Sequence, residues 1–429
     1  MEDEERHDED DGAPVGYLEL LRRNHDFRQL WLGQVVSQLG DWFNTIALYT
    51  LILQLTGSGR DIGLMLVARF LPSVVLSPVA GVVADRFDRR TVMIASDIGR
   101  AVVVLGFMLV TSAERLWLLY ALTVLQLALS TFFEPAKTAT VPSVVSPREL
   151  VAANAITSVT WSVMLTLGAA LGGLIAGWFG TDAAFLLDSL TYIASAVLIA
   201  RVRLRRTPQA REQTRLTLAR ALGITATLEG LRYVRRRRRV LVLLLVKPAW
   251  CVGGGILSLL AVFGEKVFPL GGRAATGIGV LYAARGIGTG IGPFLARRLA
   301  SDTRGAMQAG IGVSFFVAGL FYAAFGQSQS LAVALPVLAV AHMGGSVLWV
   351  YSTSLLQSSV ADEYRGRVFA TELALVTLAL AASNYATGEA LERFGYSPRT
   401  VAVAIGAFFL LPGALWFATR RWWDAPDEL

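Results

Sequence analysis

The chain has 429 residues, of which 54% are hydrophobic and 17% charged, with a mean hydropathy of +0.53; soluble domains average about 45–50% apolar and about 25% charged. That balance excludes an ordinary soluble enzyme or binding domain and fits a polytopic membrane bundle. The net charge of +7 raises nucleic-acid binding, but arginines set between hydrophobic runs are what loops facing anionic lipid require.

Residues 1–14, MEDEERHDEDDGAP, are acidic and almost without apolar side chains. A signal peptide needs a basic start and an apolar core, so this segment reads as a disordered cytoplasmic tail that continues as a pre-helix to residue 27. A helix rises about 1.5 Å per residue and the hydrocarbon core is about 30 Å thick, so each span needs about 20 mostly apolar residues. Twelve such runs follow: 30–53, 62–84, 91–112, 116–136, 151–179, 183–200, 240–264, 276–296, 306–326, 331–353, 368–388 and 401–419. They are continuously apolar and lack the inside–outside alternation of a β-barrel. The fold class is therefore all-α membrane protein with twelve transmembrane helices.

The longest polar stretch, 201–239, divides the spans into an N-terminal half (28–200) and a C-terminal half (240–420), followed by a tail (421–429). It holds Arg201, Arg203, Arg205, Arg206 and the run Arg235 to Arg239. Leu218, Leu222, Leu228 and Leu231 come close to one helical face, so a helix lying on the inner leaflet and a solvated basic loop both remain open. With the N-terminus inside, the Lys and Arg residues outside are Arg60, Arg115, Lys266, Arg273, Arg393 and Arg399; Arg69, Arg100, Lys247 and Arg285 lie within spans, and all others fall inside. This bias places both termini in the cytoplasm. Cys251 has no cysteine partner and reads as core packing.

A weak repeat relates the halves. Ala84-Asp85-Arg86-Phe87 follows the second span, Ala296-Arg297-Arg298-Leu299 the eighth, and VVSPREL and VADEYRG precede the fifth and eleventh. Two related halves about an axis along the membrane normal would place a substrate site between them near the midplane.

Gly81-Val-Val-Ala-Asp85-Arg86-Phe-Asp88-Arg89-Arg90 resembles the signature loop of the major facilitator superfamily, in the same place between the second and third spans. Gly81 would permit close helix approach, Asp85 would meet the positive end of a helix in the opposite half, and Arg86, Arg89 and Arg90 would pair across the interface or bind lipid phosphate. The resemblance implies a cytoplasmic gate latched while the protein faces outward. FRQLWLGQVVSQLGDWF, FFEPAKTATVPSVV, FLLDSLTYIASAVLI and EGLRYVRRRRRVL resemble the exporters of that superfamily that include the enterobactin exporter and bacterial macrolide and multidrug efflux proteins. This implies a monomeric, proton-coupled exporter of amphiphilic small molecules in a bacterial inner (plasma) membrane, without a cofactor. Gly168, Gly172, Gly173 and Gly177 in the fifth span form a small-residue stripe similar to the antiporter motif of drug exporters, without its proline. Any tight helix pair asks for the same spacing, as do Gly286, Gly288, Gly290 and Gly292.

Ionisable groups inside the bilayer are costly and need a partner, a wet cavity or a function. Asp41 lies about 16 Å into the first span, Arg100 and Arg285 each about 13 Å into theirs. Asp97 and Arg100, three apart, can pair. Glu134, Lys247 and Glu372 are nearer the cytoplasmic ends, where Lys can snorkel. Asp41, with Glu134 or Asp188, is the candidate proton carrier; Arg100 and Arg285 would bias it and contact polar parts of the substrate. Each can equally be part of a fixed ion pair. His342 reads as a satisfied core histidine ahead of a proton relay, and Trp31, Trp42, Phe43, Trp161, Trp250 and Trp349 as cavity lining or interface anchors. No metal-ligand spacing, nucleophile elbow or phosphate loop is present, so an enzyme is not expected. The alternatives to export are a lysophospholipid or lipid flippase of the same superfamily and a non-transporting receptor or scaffold.

Overall fold

The computed structural model describes residues 16–146, 148–203, 232–235, 237–299 and 303–419, and these are helical apart from turns. The acidic tail, Leu218, Leu222, Leu228 and Leu231 of the linker, and the tail 421–429 lie outside the described residues. A short α1 (Tyr17–Arg23) leads into α2 (His25–Thr56), α3 (Gly59–Arg86), α4 (Arg89–Leu105), α5 (Leu116–Val144), α6 (Leu150–Phe179) and α7 (Thr181–Ala200). After the linker come α8 (Arg238–Val252), α9 (Ile256–Val262), α10 (Ala274–Leu299), α11 (Arg304–Gln327), α12 (Leu331–Ser359), α13 (Asp362–Glu392) and α14 (Pro398–Ala418).

Among the described residues, ten helical segments are long and apolar enough to cross a membrane. The two remaining long helices, α2 with 32 residues and α3 with 28, carry more polar residues. In α2 those side chains turn inward: Gln29, Gln34, Ser37 and Asn44 are all buried. A bilayer-exposed amide would forfeit its hydrogen bonds, so this helix hides its polar face against protein.

Local chemistry sets the helix ends. Gly57 closes α2 in the left-handed region at φ 63°, and the Ser58 side chain accepts from Asp61 N to start α3. Asp88 of the signature loop caps α4 by accepting from Thr91 N at 2.9 Å. Several boundaries differ from the sequence expectation, and three of them have a local cause. The fourth span continues as helix through Pro135 and Pro142 to Val144. The third tightens into a 3-10 turn over Gly106–Leu109. The seventh breaks at Gly253–Gly255 and ends in a π-helical turn, Phe263–Val267. A Cβ on Gly253 would overlap the Phe409 ring and one on Gly255 would overlap Thr387, so the glycines trade helix continuity for close approach of α14 and α13.

Within the N-terminal set α2 packs on α6 and α7, α3 on α5, and α4 on α5 and α7; within the C-terminal set α11 packs on α12 and α14, α10 on α12, and α8 on α12 and α13. Two main seams join the sets, α3 with α13 and α6 with α10, with smaller contacts of α2 on α9 and α10 and of α3 on α9. Glycines set the second seam: a Cβ on Gly173 would lie 2.8 Å from Gly279 Cα, and one on Gly286 would lie 2.8 Å from Thr166 N. Gly168 and Gly172 lie against Trp42 and Phe43 of α2, while Gly177 lies against Thr276 of α10 and Arg273 just before it. The seam loosens toward the arginine-rich end, where Gly290 and Ser162 stand 3.5 Å apart on the same measure. At the opposite, charge-poor end the sets are tied by an Arg60–Glu389 ion pair of 2.9 Å, by Ser58 donating to Glu392, and by Lys266 Nζ donating to the Gly57 carbonyl at 2.8 Å.

Candidate functional site

Helices α2, α4, α5 and α7 enclose a polar cluster in the N-terminal set. Asp97 and Arg100, one turn apart on α4, form an ion pair, and both are buried. The Arg100 guanidinium lies over the rings of Phe133 and Tyr192, 4.7 and 4.3 Å from their centroids. Tyr192 of α7 donates its hydroxyl hydrogen to Asp41 Oδ1 of α2. Gln126 of α5 donates to the same hydroxyl at 3.2 Å, and Asn44 donates to Gln126 Oε1 at 3.0 Å. Asp188 is fully buried; Thr191 donates to one oxygen at 3.4 Å, and the other has no hydrogen bond among the described residues. A Cβ on Gly40 would overlap Asp188, so the missing side chain seats that carboxyl one residue from Asp41. Arg69 of α3 donates to Thr45 Oγ1 at 3.1 Å, and Thr45 donates to the Asp41 carbonyl at 2.7 Å.

Of the residues singled out from sequence, Asp41, Arg100 and Asp188 therefore meet. Asp41 is half-buried, whereas Asp97, Asp188 and Arg100 are sealed. Glu134 stays apart: its side chain is 58% exposed and pairs with Lys137 on the same helix at 2.9 Å. Tyr192, Gln126 and Asn44 were not singled out. Their signal was available, since a phenol and two amides inside apolar runs need partners as charges do.

A second buried site corrects an expectation. Lys247 of α8 does not snorkel; it is 3% exposed and donates to Glu372 Oε2 of α13 at 2.8 Å. Its ammonium lies 5.0 Å from the Trp349 ring centroid. A carboxylate within reach satisfies the ammonium without a path to the headgroups.

Arg285 of α10 is half-buried, and its guanidinium lies 5.6 Å from the Tyr282 ring centroid. Tyr282 in turn contacts the α2 rings of Trp42 and Tyr49, with centroid distances of 6.1 and 5.6 Å. The ring of His342 is satisfied by the Tyr322 hydroxyl and the Leu338 carbonyl, both at 3.2 Å. Trp31 donates to Thr160 at 2.8 Å, Trp250 packs on Phe315 and Phe409, and Trp161 and Trp349 are exposed.

In the signature loop, a Cβ on Gly81 would meet nothing within 4 Å, so among the described residues this glycine makes no close helix contact. Arg86 is exposed. Arg89 donates to the Ala139 carbonyl at 2.6 Å and Arg90 to the Ala200 carbonyl, both within the N-terminal set and not across the seam. The side chain of Asp85 lies outside the described residues.

Comparison with known proteins agrees with this architecture. The model of the Major Facilitator Superfamily matches residues 30–371. The chain is similar to the uncharacterized MFS-type transporter YfiS of Bacillus subtilis (strain 168), 28% identical with 84% of this chain and 85% of that protein covered. It is also similar to macrolide efflux protein A of Streptococcus pyogenes, 23% identical over 91% of this chain and 93% of that protein. Among solved structures, a bacterial homolog of the human lysosomal transporter Spinster, in an inward-facing and unoccupied conformation, superposes with a TM-score of 0.71 at 16% identity, covering 94% of this chain and 98% of that one.

Proposed function

Because the chain belongs to the major facilitator superfamily, we propose that it is a secondary active transporter that exports amphiphilic small molecules in exchange for protons by alternating access. The observation that carries the proton part is the unbalanced cluster: Asp41, Asp97 and Asp188 share the field of Arg100, with Arg69 bonded one turn from Asp41. Three carboxyls against two guanidiniums leave one carboxyl uncompensated if all are ionised, and in a low-dielectric interior a bound proton is the economical remedy. Asp41, the half-buried member, is where that proton would enter. Tyr192, bonded to Asp41 and lying beneath Arg100, would relay the change to α4.

Twelve spans follow if α2 and α3, about 48 and 42 Å long at 1.5 Å per residue, join the ten apolar helices. Arginine-rich loops at one end support that end, with both termini, facing the cytoplasm across a bacterial plasma membrane. The tie at the charge-poor end and the loosening of the α6–α10 seam support an inward-facing state, in which the signature loop is unlatched. The protein would work as a monomer with its arginines against lipid phosphate.

The test is full-length protein in liposomes with an imposed pH gradient, an internal pH-sensitive dye, and a panel of amphiphilic drugs including a macrolide. Drug-dependent proton flux that Asp41→Asn lowers on the order of 100-fold supports the reading. Flux unchanged in Asp41→Asn removes Asp41 from the coupling path. Absence of drug movement together with accelerated flipping of labelled lysolipid replaces export with lipid transport.

A further inference from the structure

The charge surplus on the two sides of the bundle has opposite sign. In the N-terminal set the acids outnumber the guanidiniums, while in the C-terminal set Lys247 is matched by Glu372 and Arg285 is left over. Among the described residues the Arg285 guanidinium makes no hydrogen bond and no ion pair; the residue's backbone carbonyl accepts from the Thr289 hydroxyl at 2.9 Å. Tyr282, Tyr322 and His342 lie within reach of the guanidinium's charge, and none of them carries a carboxylate to pair with it. Tyr282 donates to the Leu257 carbonyl at 2.8 Å, and His342 and Tyr322 bond each other, so their polar atoms are already engaged.

The direction in which Arg285 faces follows from helix geometry. At about 100° per residue, Ile278, Tyr282, Arg285 and Thr289 share one side of α10, and the exposed Ile287, Ile291 and Phe294 lie on the other. The flanks are taken by α6, through Gly279 and Gly286, and by α12, through Gly288 and Gly292. The exposed apolar side is the lipid face, so Arg285 looks toward the bundle axis, where Tyr282 meets Trp42 and Tyr49 of the opposite set. A guanidinium near mid-bilayer without an acid is costly unless something anionic visits it. Half-burial leaves it within reach of a visitor.

We propose that Arg285 is the seat of an acidic group on the cargo, which we take to be a carboxylate-bearing aromatic amphiphile whose apolar body lies against the half-buried Trp42. Arg285 offers a planar fork suited to two hydrogen bonds to one carboxylate, and Trp42 and Tyr282 offer ring faces beside it. This deepens the transport reading and rests on it. It also narrows that reading, since neutral and cationic amphiphiles would leave the guanidinium unpaired.

The experiment uses three fluorescent probes that share one aromatic body: dansylglycine as the acid, dansylglycinamide as its neutral counterpart, and dansylcadaverine as the amine. Binding to the purified full-length protein and uptake into proteoliposomes are measured for each. The acid is expected to bind on the order of 10-fold more tightly than the amide. Arg285→Gln is expected to erase that preference while amide affinity stays within about twofold, and Arg285→Lys to retain part of it. Equal affinity for acid and amide in the wild type, preference for the amine, or an acid preference that survives in Arg285→Gln would overturn the proposal while leaving transport intact. The wild-type comparison needs no variant, so it decides even where Arg285→Gln does not fold. Failure of the wild type to bind or move any of the three would overturn the acidic seat. The drug-driven proton flux of the preceding test then separates that failure from a failure of the transport reading.

Discussion

Two buried charge sites occupy the two sets of helices, and they are built differently. Lys247 and Glu372 meet one to one, 2.8 Å apart, both nearly sealed from solvent. The N-terminal cluster gathers Asp41, Asp97 and Asp188 around Arg100 and ties Asp41 to a hydrogen-bonded chain of Tyr192, Gln126 and Asn44. A balanced pair is satisfied in one protonation state and has no reason to change it. An unbalanced cluster has more than one way to distribute its protons, which is the property the proposed coupling needs. On the proposed reading, burial alone does not mark a functional charge; the count of acids against bases does.

The largest effect follows from the balanced pair. Lys247→Met leaves Glu372 buried without its cation, and breaking such a pair typically costs about 3–5 kcal/mol. Thermal unfolding in detergent should show a large fall in stability for Lys247→Met. Most of it should return in Lys247→Met combined with Glu372→Gln, because the second change removes the stranded charge. A double variant no more stable than the single would mean that the pair is not the unit assumed here.

A smaller effect belongs to the ion pair at the charge-poor end. Arg60 and Glu389 have side chains that are 47% and 15% exposed, and partly solvated pairs are worth about 0.2–1 kcal/mol. This pair spans the two sets, so its energy bears on the equilibrium between conformations as well as on folding. Arg60→Glu should shift the population toward closure of the arginine-rich end by up to about fivefold, and adding Glu389→Arg should bring it back. Spin labels on the two sets at that end, read as a distance distribution, would report both steps. An unchanged distribution in Arg60→Glu would restrict the pair to folding stability.

The spans were legible in the sequence because a bilayer asks for about 20 apolar residues at a time and arginines mark their ends. The Asp97–Arg100 pair was legible because its partners are one helical turn apart. Lys247 and Glu372 were not, since 125 residues separate them and nothing in either span names the other. The same holds for Tyr192 and Asp41, 151 residues apart. The break in the seventh span had a sign in the run Gly253-Gly254-Gly255, but its cause is tertiary, in Phe409 and Thr387 on distant helices. Glu134 was picked for its place in an apolar run and falls outside the cluster because its face of α5 is exposed and Lys137 lies one turn away.

The smallest expected effect is also the one that separates the two sites most sharply. Asp188 is as buried as Glu372, so burial alone would predict that removing its charge is as damaging as disturbing the pair. Asp188, however, belongs to the side with surplus acid. Each of these two carboxyls has one oxygen without a hydrogen bond among the described residues, but the other oxygen of Glu372 accepts from an ammonium whereas that of Asp188 accepts only from Thr191 of its own helix. Asp188→Asn keeps the shape, keeps an acceptor for Thr191 and removes one of three competing negative charges near Arg100. Its unfolding free energy should change by less than about 1 kcal/mol, in either direction. Proton uptake accompanying cargo release should meanwhile shift in its pH dependence, because one of the three carboxyls that share the field of Arg100 is gone. A loss of stability comparable to that of Lys247→Met would mean that Asp188 is held as a fixed partner, and the cluster would then have to be regarded as a second balanced ion pair in the opposite half of the bundle.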